Sequence, residues 1–213
     1  MMVAVAIIAI LAMMTLNGVQ GLRPRAKAGT TAADLTAALQ AARQEALGDG
    51  HYVFVRWLND PSYSFQGYVV CSSTDSRYRP PPDWTSTDPC GPCSFGGCPT
   101  PKYESKSALP LGVIAAAGTD FGSVANVPSV FRNAVSIPSV SSTGCSFCQQ
   151  DSNQVGWIAF MPDGQVMFPG DSLSSHATGG AILVRADPSI SKAAAVYATV
   201  VTAPFGLVRS FSR

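Results

Sequence analysis

MMVAVAIIAILAMMTL at residues 1–16, with TTAADLTAALQAARQEAL at residues 30–47, decides how the rest of this chain is arranged. The first stretch holds one polar side chain, Thr15, and no charge appears before Arg23. At ~1.5 Å rise per residue, a helix over residues 1–22 is about 33 Å long, enough to cross a bilayer core of ~30 Å. The second stretch is helical in a different way. Leu35, Ala38, Leu39, Ala42 and Ala46 recur at i, i+3, i+4, i+7 and i+11 and form a narrow apolar stripe, with Thr36, Gln40, Arg43 and Gln44 on other faces. Thr31 and Asp34 have the spacing of a capping box that would open this second helix, and Gly48 stands where it would be capped. Pro24 and Gly29 lie between the two stretches. A proline inside a helix removes a backbone bond and costs ~3 kcal/mol or more, so the sequence predicts a break or bend between Gly18 and Gly29. The expected organisation is a transmembrane segment at 1–22, an amphipathic continuation at 23–48, and a β-rich domain at 49–213.

After Gly48 the hydrophobic period changes from helical to two. Residues 51–57, HYVFVRW, read as a strand of β-branched and aromatic residues, and 65–71 as a second one after an Asn-Asp-Pro-Ser turn. Residues 78–101 are an insert rich in proline and glycine, which can hold neither a helix nor a central strand. The apolar run 109–117 is too short to assign, and 133–137 is a weakly patterned strand. Residues 156–160 and 165–168 form a hairpin with Asp163-Gly164 in its turn. Residues 181–185 are another strand, and 196–202 with 207–211 flank Ala203-Pro204-Phe205-Gly206 as a last hairpin. The sum is an α+β chain, one long N-terminal helix followed by an antiparallel sheet of roughly six to eight strands.

A net charge of +1 excludes a generally basic surface of the kind that gathers nucleic acid. Only 13% of residues are charged, a surface built instead on Ser, Thr, Gly and Pro, as in many exported proteins. The six cysteines are Cys71, Cys90, Cys93, Cys98, Cys145 and Cys148. Their placement in or beside loops that lack a core reads as structural disulfides of unassigned pairing, each stabilising by ~2–4 kcal/mol. The competing reading is zinc held by Cys90-x-x-Cys93 and Cys145-x-x-Cys148, two thiolate knuckles at a wide separation. His51 and His176 are the two histidines, and neither sits in a nucleophile motif. Asp163, Asp171 and Asp187 fall in or near turns, where turn chemistry accounts for them. No catalytic set, cofactor fingerprint or metal site is assigned.

The apolar run MVAVAIIAILA at 2–12 and the leucine-alanine helix DLTAALQAARQEAL at 34–47, with its ending Ala42-Arg43-Gln44-Glu45-Ala46, resemble type IV pilins and the pseudopilins of type II secretion. The second phrase is similar to the minor pseudopilins of the H type and to related minor type IV pilins. The turn Met161-Pro162-Asp163-Gly164 is similar to one in that family's β domain. The resemblance implies a pilin-like fold and a structural, non-enzymatic subunit. Such a subunit is stored single-pass in the bacterial inner membrane with its domain in the periplasm, then drawn into a short filament at or near its tip. Its implied partners are other pilins or pseudopilins, inner-membrane lipid and the inner-membrane assembly platform. Ala4, Ala6, Ala9 and Ala12 are the expected helix–helix packing positions, since association in lipid depends on small residues. Some minor pilins bind DNA through basic residues near the C-terminus, and Lys192, Arg209 and Arg213 occupy that region here.

The family's basic leader, glycine cut site and Phe-Thr-Leu-Ile-Glu opening, which carry its processing and N-terminal methylation, are not in this sequence. Arg23, Arg25 and Lys27 follow the apolar run and nothing positive precedes it, which by the positive-inside rule would leave the domain in the cytoplasm. Cysteines that want an oxidising compartment therefore predict a basic leader encoded upstream of Met1. The rival from another class is an exported, disulfide-stapled β module that binds a ligand alone, its signal peptide cut near Val19-Gln20-Gly21. A membrane-tethered enzyme is the third.

Overall fold

The computed structural model describes residues 2–58, 66–75, 90, 102–116, 127–129, 131, 144–148, 155–168, 179–190 and 195–212; for 2–22, 102, 103, 106 and 155 it describes the backbone alone. One helix, α1 (Met2–Asp49), precedes nine strands among these residues. They are β1 (Tyr52–Leu58), β2 (Gly67–Ser73), β3 (Lys102–Ala108), β4 (Val113–Ala115), β5 (Val155–Phe160), β6 (Val166–Met167), β7 (Gly179–Ala186), β8 (Val196–Thr202) and β9 (Leu207–Ser212). The chain is α+β, as its pattern predicts, with every pairing antiparallel.

The break expected between Gly18 and Gly29 does not occur: α1 runs through Pro24 without interruption. Two contacts explain why. Pro24 is buried, and a Cβ placed on Gly112 would lie 3.8 Å from its Cβ, so the ring packs against the strand layer. Gly29 is a close-approach position: a side chain there would begin 3.1 Å from the Tyr197 hydroxyl. Packing thus offsets the one hydrogen bond that the proline removes. The capping box is also corrected. Thr31 lies inside the helix and donates from Oγ1 to Lys27 O at 2.8 Å, and Asp34 is a turn further in. The C-terminal end comes at Asp49, with Gly50 in the left-handed conformation (φ 68°) just beyond it, two residues after the Gly48 position expected.

The strands form two sheets, one ordered β3-β2-β1-β5-β6 and the other β4-β7-β8-β9. Helix α1 packs on both. Its core positions are Ala28, Ala32, Leu35, Leu39, Ala42 and Ala46, alternately four and three residues apart. This is the predicted stripe extended two turns toward the N-terminus, with Ala38 at its margin. Val53, Val55 and Trp57 of β1, Ile158 and Phe160 of β5, Ile182 and Val184 of β7, and Val201 of β8 join the helix in one core. Small residues on α1 let the strands come close, while Leu35 and Leu39 fill the centre. Each full burial of such a leucine stabilises by ~1.5–3 kcal/mol.

The opposite faces of the sheets are covered as well. Leu58, Val69 and Cys71 pack with Cys90 of the proline-rich insert, and Ala181, Leu183, Ala198 and Val200 pack with Val127 and Phe131. The 156–168 hairpin is present: Asp163 Oδ1 accepts from Gln165 N–H at 2.9 Å, and Gly164 holds φ 81°. The final hairpin turns through Ala203–Gly206, where Gly206 N–H donates to Thr202 O at 2.8 Å. Two strands exceed the sequence reading. β3, KYESKSA, is polar and lies at a sheet edge, where one ladder suffices and no apolar face is required. β4 is a three-residue edge strand inside the unassigned run 109–117. The strand expected at 133–137 lies outside the described residues.

Candidate functional site

Cysteine chemistry is settled for four of the six positions. Cys71 of β2 is bonded to Cys90, and Cys145 to Cys148. The first bond holds Cys90 against the outer face of the first sheet, where both cysteines are buried. The second closes a tight loop whose Cys145 forms a β-bridge with Ile182 and so ties the approach to β5 onto the other sheet. Cys93 and Cys98 lie outside the described residues. The two-knuckle zinc reading is corrected here, because Cys90, Cys145 and Cys148 are held as disulfide sulfurs rather than thiolates. Among the described residues no group of three or more His, Cys, Asp or Glu side chains has the geometry to hold a metal ion.

His51 is exposed at the start of β1, beside a cleft that also borders Glu45, Asp49, Ser72, Ser73, Thr74 and Glu104. Ser72 Oγ donates to Glu104 Oε1 at 2.9 Å, which spends the hydroxyl on a structural bond between β2 and β3. The acids in turns do turn chemistry. Asp187 Oδ1 accepts from both the amide and the hydroxyl of Ser189, at 2.8 and 2.7 Å, and these bonds hold its carboxyl below the usual carboxylate range. Tyr68 lines a pocket with Lys27, Thr30, Asp34 and Ser107, where α1 meets the β2–β3 edge. Burial pushes its phenol up; a hydrogen bond with Ser107 pulls the other way, and the nearby Asp34 charge pushes up again. His176 and Asp171 lie outside the described residues.

The features that remain are surfaces. Along α1, Ala26, Ala33, Ala37 and Ala41 are exposed, and a groove lined by Gly29, Ala33, Ala37, Tyr197 and Phe211 runs between the helix and β9. Thr36, half-buried rather than on a free face, meets Thr199 of β8 across the groove floor, their hydroxyls 3.4 Å apart. Large apolar side chains are exposed at two ends. Leu111 and Ile190 flank Gly112, which lies next to Pro24, while Leu47, Phe205 and Leu207 stand toward the C-terminal end of the helix. Sequence pattern finds neither group, because a lone leucine in a loop carries no period. Of the C-terminal cations, Arg209 is exposed on β9, and Lys192 and Arg213 lie outside the described residues. Ala4, Ala6, Ala9 and Ala12 are on the helical backbone of the expected transmembrane segment, which is described without its side chains. Among the residues described with their side chains, which begin at Arg23, no helix is long and apolar enough to cross a membrane. Comparison of the chain with protein-family models, with curated proteins and with solved structures returned no match.

Proposed function

We propose that this chain is a pilin-like structural subunit, a minor pseudopilin or minor pilin. In this reading residues 1–22 anchor it in the inner membrane before assembly and pack against the same segment of neighbouring subunits afterwards, with Ala4, Ala6, Ala9 and Ala12 as contact positions. The observation that carries the reading is the continuity of α1. One helix unites the apolar run at 2–22 with the stripe Ala28–Ala46 that is locked into the core of an antiparallel β domain. A subunit that must be pulled from lipid into a filament needs a rigid connection of this kind between anchor and body. The exposed alanines of α1 support it further, since small residues on a helix face let a second helix approach closely. Two disulfides, one of them fully buried, accord with a periplasmic domain. The subunit would catalyse nothing; DNA contact through Arg209 and its neighbours is a further reading within the same class of protein.

The test replaces residues 1–22 with an unrelated apolar helix of equal length in the native cell. The expected result is membrane retention with loss of filament assembly. Unchanged secretion or piliation would reduce the segment to an anchor and overturn the filament reading. Cleavage near Gly21 with release of the domain would instead support the exported binding module.

A further inference from the structure

The end of the domain from which residues 2–22 lead away has an unusual surface. Leu111 is 86% exposed and Ile190 53% exposed, the first of these the most exposed of the large apolar side chains described. They are neighbours through Gly112: a Cβ on Gly112 would lie 3.7 Å from Ile190 Cδ1 and 3.8 Å from Pro24 Cβ. Lys27 Nζ donates to Leu111 O at 3.3 Å, so the same patch touches the helix one turn on. Arg23 and Arg25, which flank Pro24 on the helix, and Lys27 are all exposed, and Asp187, whose amide N–H donates to Gly112 O, brings one negative charge.

Height along the helix identifies what covers this patch. Residues 2–22 of α1 rise about 31 Å, close to the ~30 Å of a hydrocarbon core, and the first charge follows at Arg23. The polar headgroup layer adds ~5–8 Å on each side, and Arg23 to Lys27 rises about 6 Å. The three cations therefore fall within the headgroup layer, and Leu111, whose carbonyl accepts from Lys27, and Ile190, next to Gly112, fall near the same level. Apolar side chains beside a run of cations are a combination that binds an anionic bilayer surface, with the apolar part ~5–10 Å into the boundary between headgroups and acyl chains.

We propose that Leu111 and Ile190, with Arg23, Arg25 and Lys27, form a second membrane contact that seats the domain on anionic phospholipid while residues 1–22 cross the bilayer. The contact fixes the tilt of the domain in the stored subunit and is broken when the subunit leaves the membrane. It rests on the anchor role proposed above for residues 1–22.

The test uses the full chain reconstituted into bilayers that contain a brominated anionic phospholipid. A tryptophan is added in separate variants, Leu111→Trp at the patch and Phe205→Trp at the far end of the domain, and the parent emission is subtracted. An alkaline wash of the same bilayers reads the anchor independently. The expected result is retention through the wash, with the emission added at 111 quenched about threefold more strongly than that added at 205. Substituting Arg23→Gln, Arg25→Gln and Lys27→Gln together lowers the quenching at 111 by about half or more. Retention with equal, weak quenching at both positions overturns the second contact and leaves the anchor standing. A crosslinked dimer from a further Leu111→Cys variant treated with a bis-maleimide, which joins two thiols by thioether bonds, with no quenching of the emission added at 111, assigns the patch to a second copy and also overturns it. Loss of the chain in the wash refutes the anchor itself, and the second contact with it.

Discussion

Leu39 and Leu47 offer a controlled comparison, because they are the same residue on the same helix in opposite surroundings. Leu39 is fully buried where α1 meets both sheets, and Leu47 is 46% exposed beside Gly164. Leu39→Ala removes three carbons from the core, worth about 2.4 kcal/mol at ~0.8 kcal/mol each. The cavity left between the helix and two sheets raises the loss to about 3–5 kcal/mol, since strands tied on both edges cannot collapse into it. At Leu47 roughly half of the surface is already in water and no closed cavity forms, so Leu47→Ala costs about 1 kcal/mol or less. The small helix-propensity gain of alanine is common to both and cancels in the difference. Denaturant unfolding of the oxidised full chain in micelles, followed by the fluorescence of the tryptophans that include buried Trp57, measures both losses at constant m-value. The reasoning is refuted if Leu39→Ala costs less than about 1 kcal/mol, or if the two variants lose the same amount.

Further outcomes follow from single contacts. Gly67 holds φ 150°, and a Cβ there would overlap Ser107 O, so Gly67→Ala breaks the start of the β2–β3 ladder and lowers the melting temperature by about 10 °C or more; an unchanged melting curve refutes this. Cys90→Ser removes the link to Cys71 at a sequence separation of 19 and lowers stability by ~3 kcal/mol, read as a shifted denaturant midpoint against the parent chain. The folded-state pKa of Tyr68 is raised, so its contribution is full below the ordinary tyrosine value near 10.0 and is lost as pH rises through the folded value. Ultraviolet titration should find one phenol ionising late, and Tyr68→Phe should remove that phase and flatten the alkaline limb of stability. For Asp187 the folded value is lowered, so its contribution is present above about pH 4 and is lost as pH falls through the folded value; Asp187→Asn should remove that pH dependence, followed by carboxyl chemical shifts.

Much of this architecture is legible in one-dimensional pattern, for identifiable reasons. The stripe through Leu35, Leu39, Ala42 and Ala46 is visible because one face of α1 does all the burying. The hairpins at 156–168 and 196–211 are visible because Asp163-Gly164 and Pro204-Phe205-Gly206 supply turn chemistry between β-branched runs. Pro24 misleads because local propensity cannot register that Gly112 offers its ring a packing site distant in sequence. β3 is missed because Glu104 and its polar neighbours, paired to β2 alone, need no hydrophobic period. The Cys71–Cys90 link depends on a fold that brings Cys90 to the outside of β2, and spacing alone leaves that pairing open. Leu111 and Ile190 carry meaning only through their height along α1, a quantity that exists once the helix is known to be unbroken.

An unbroken α1 also determines how the domain bears mechanical load. Tension on the N-terminal end enters through Ala28 to Ala46 and reaches β1 and β5 on one side and β4, β7, β8 and β9 on the other. The helix cannot be peeled off one turn at a time from a single sheet; it must slide lengthwise between two, so all of its buried side chains resist together. Shear of that kind spreads force over the whole interface, whereas a pull perpendicular to one edge strand would unzip its ladder bond by bond. The domain is therefore stiffest along the axis of α1.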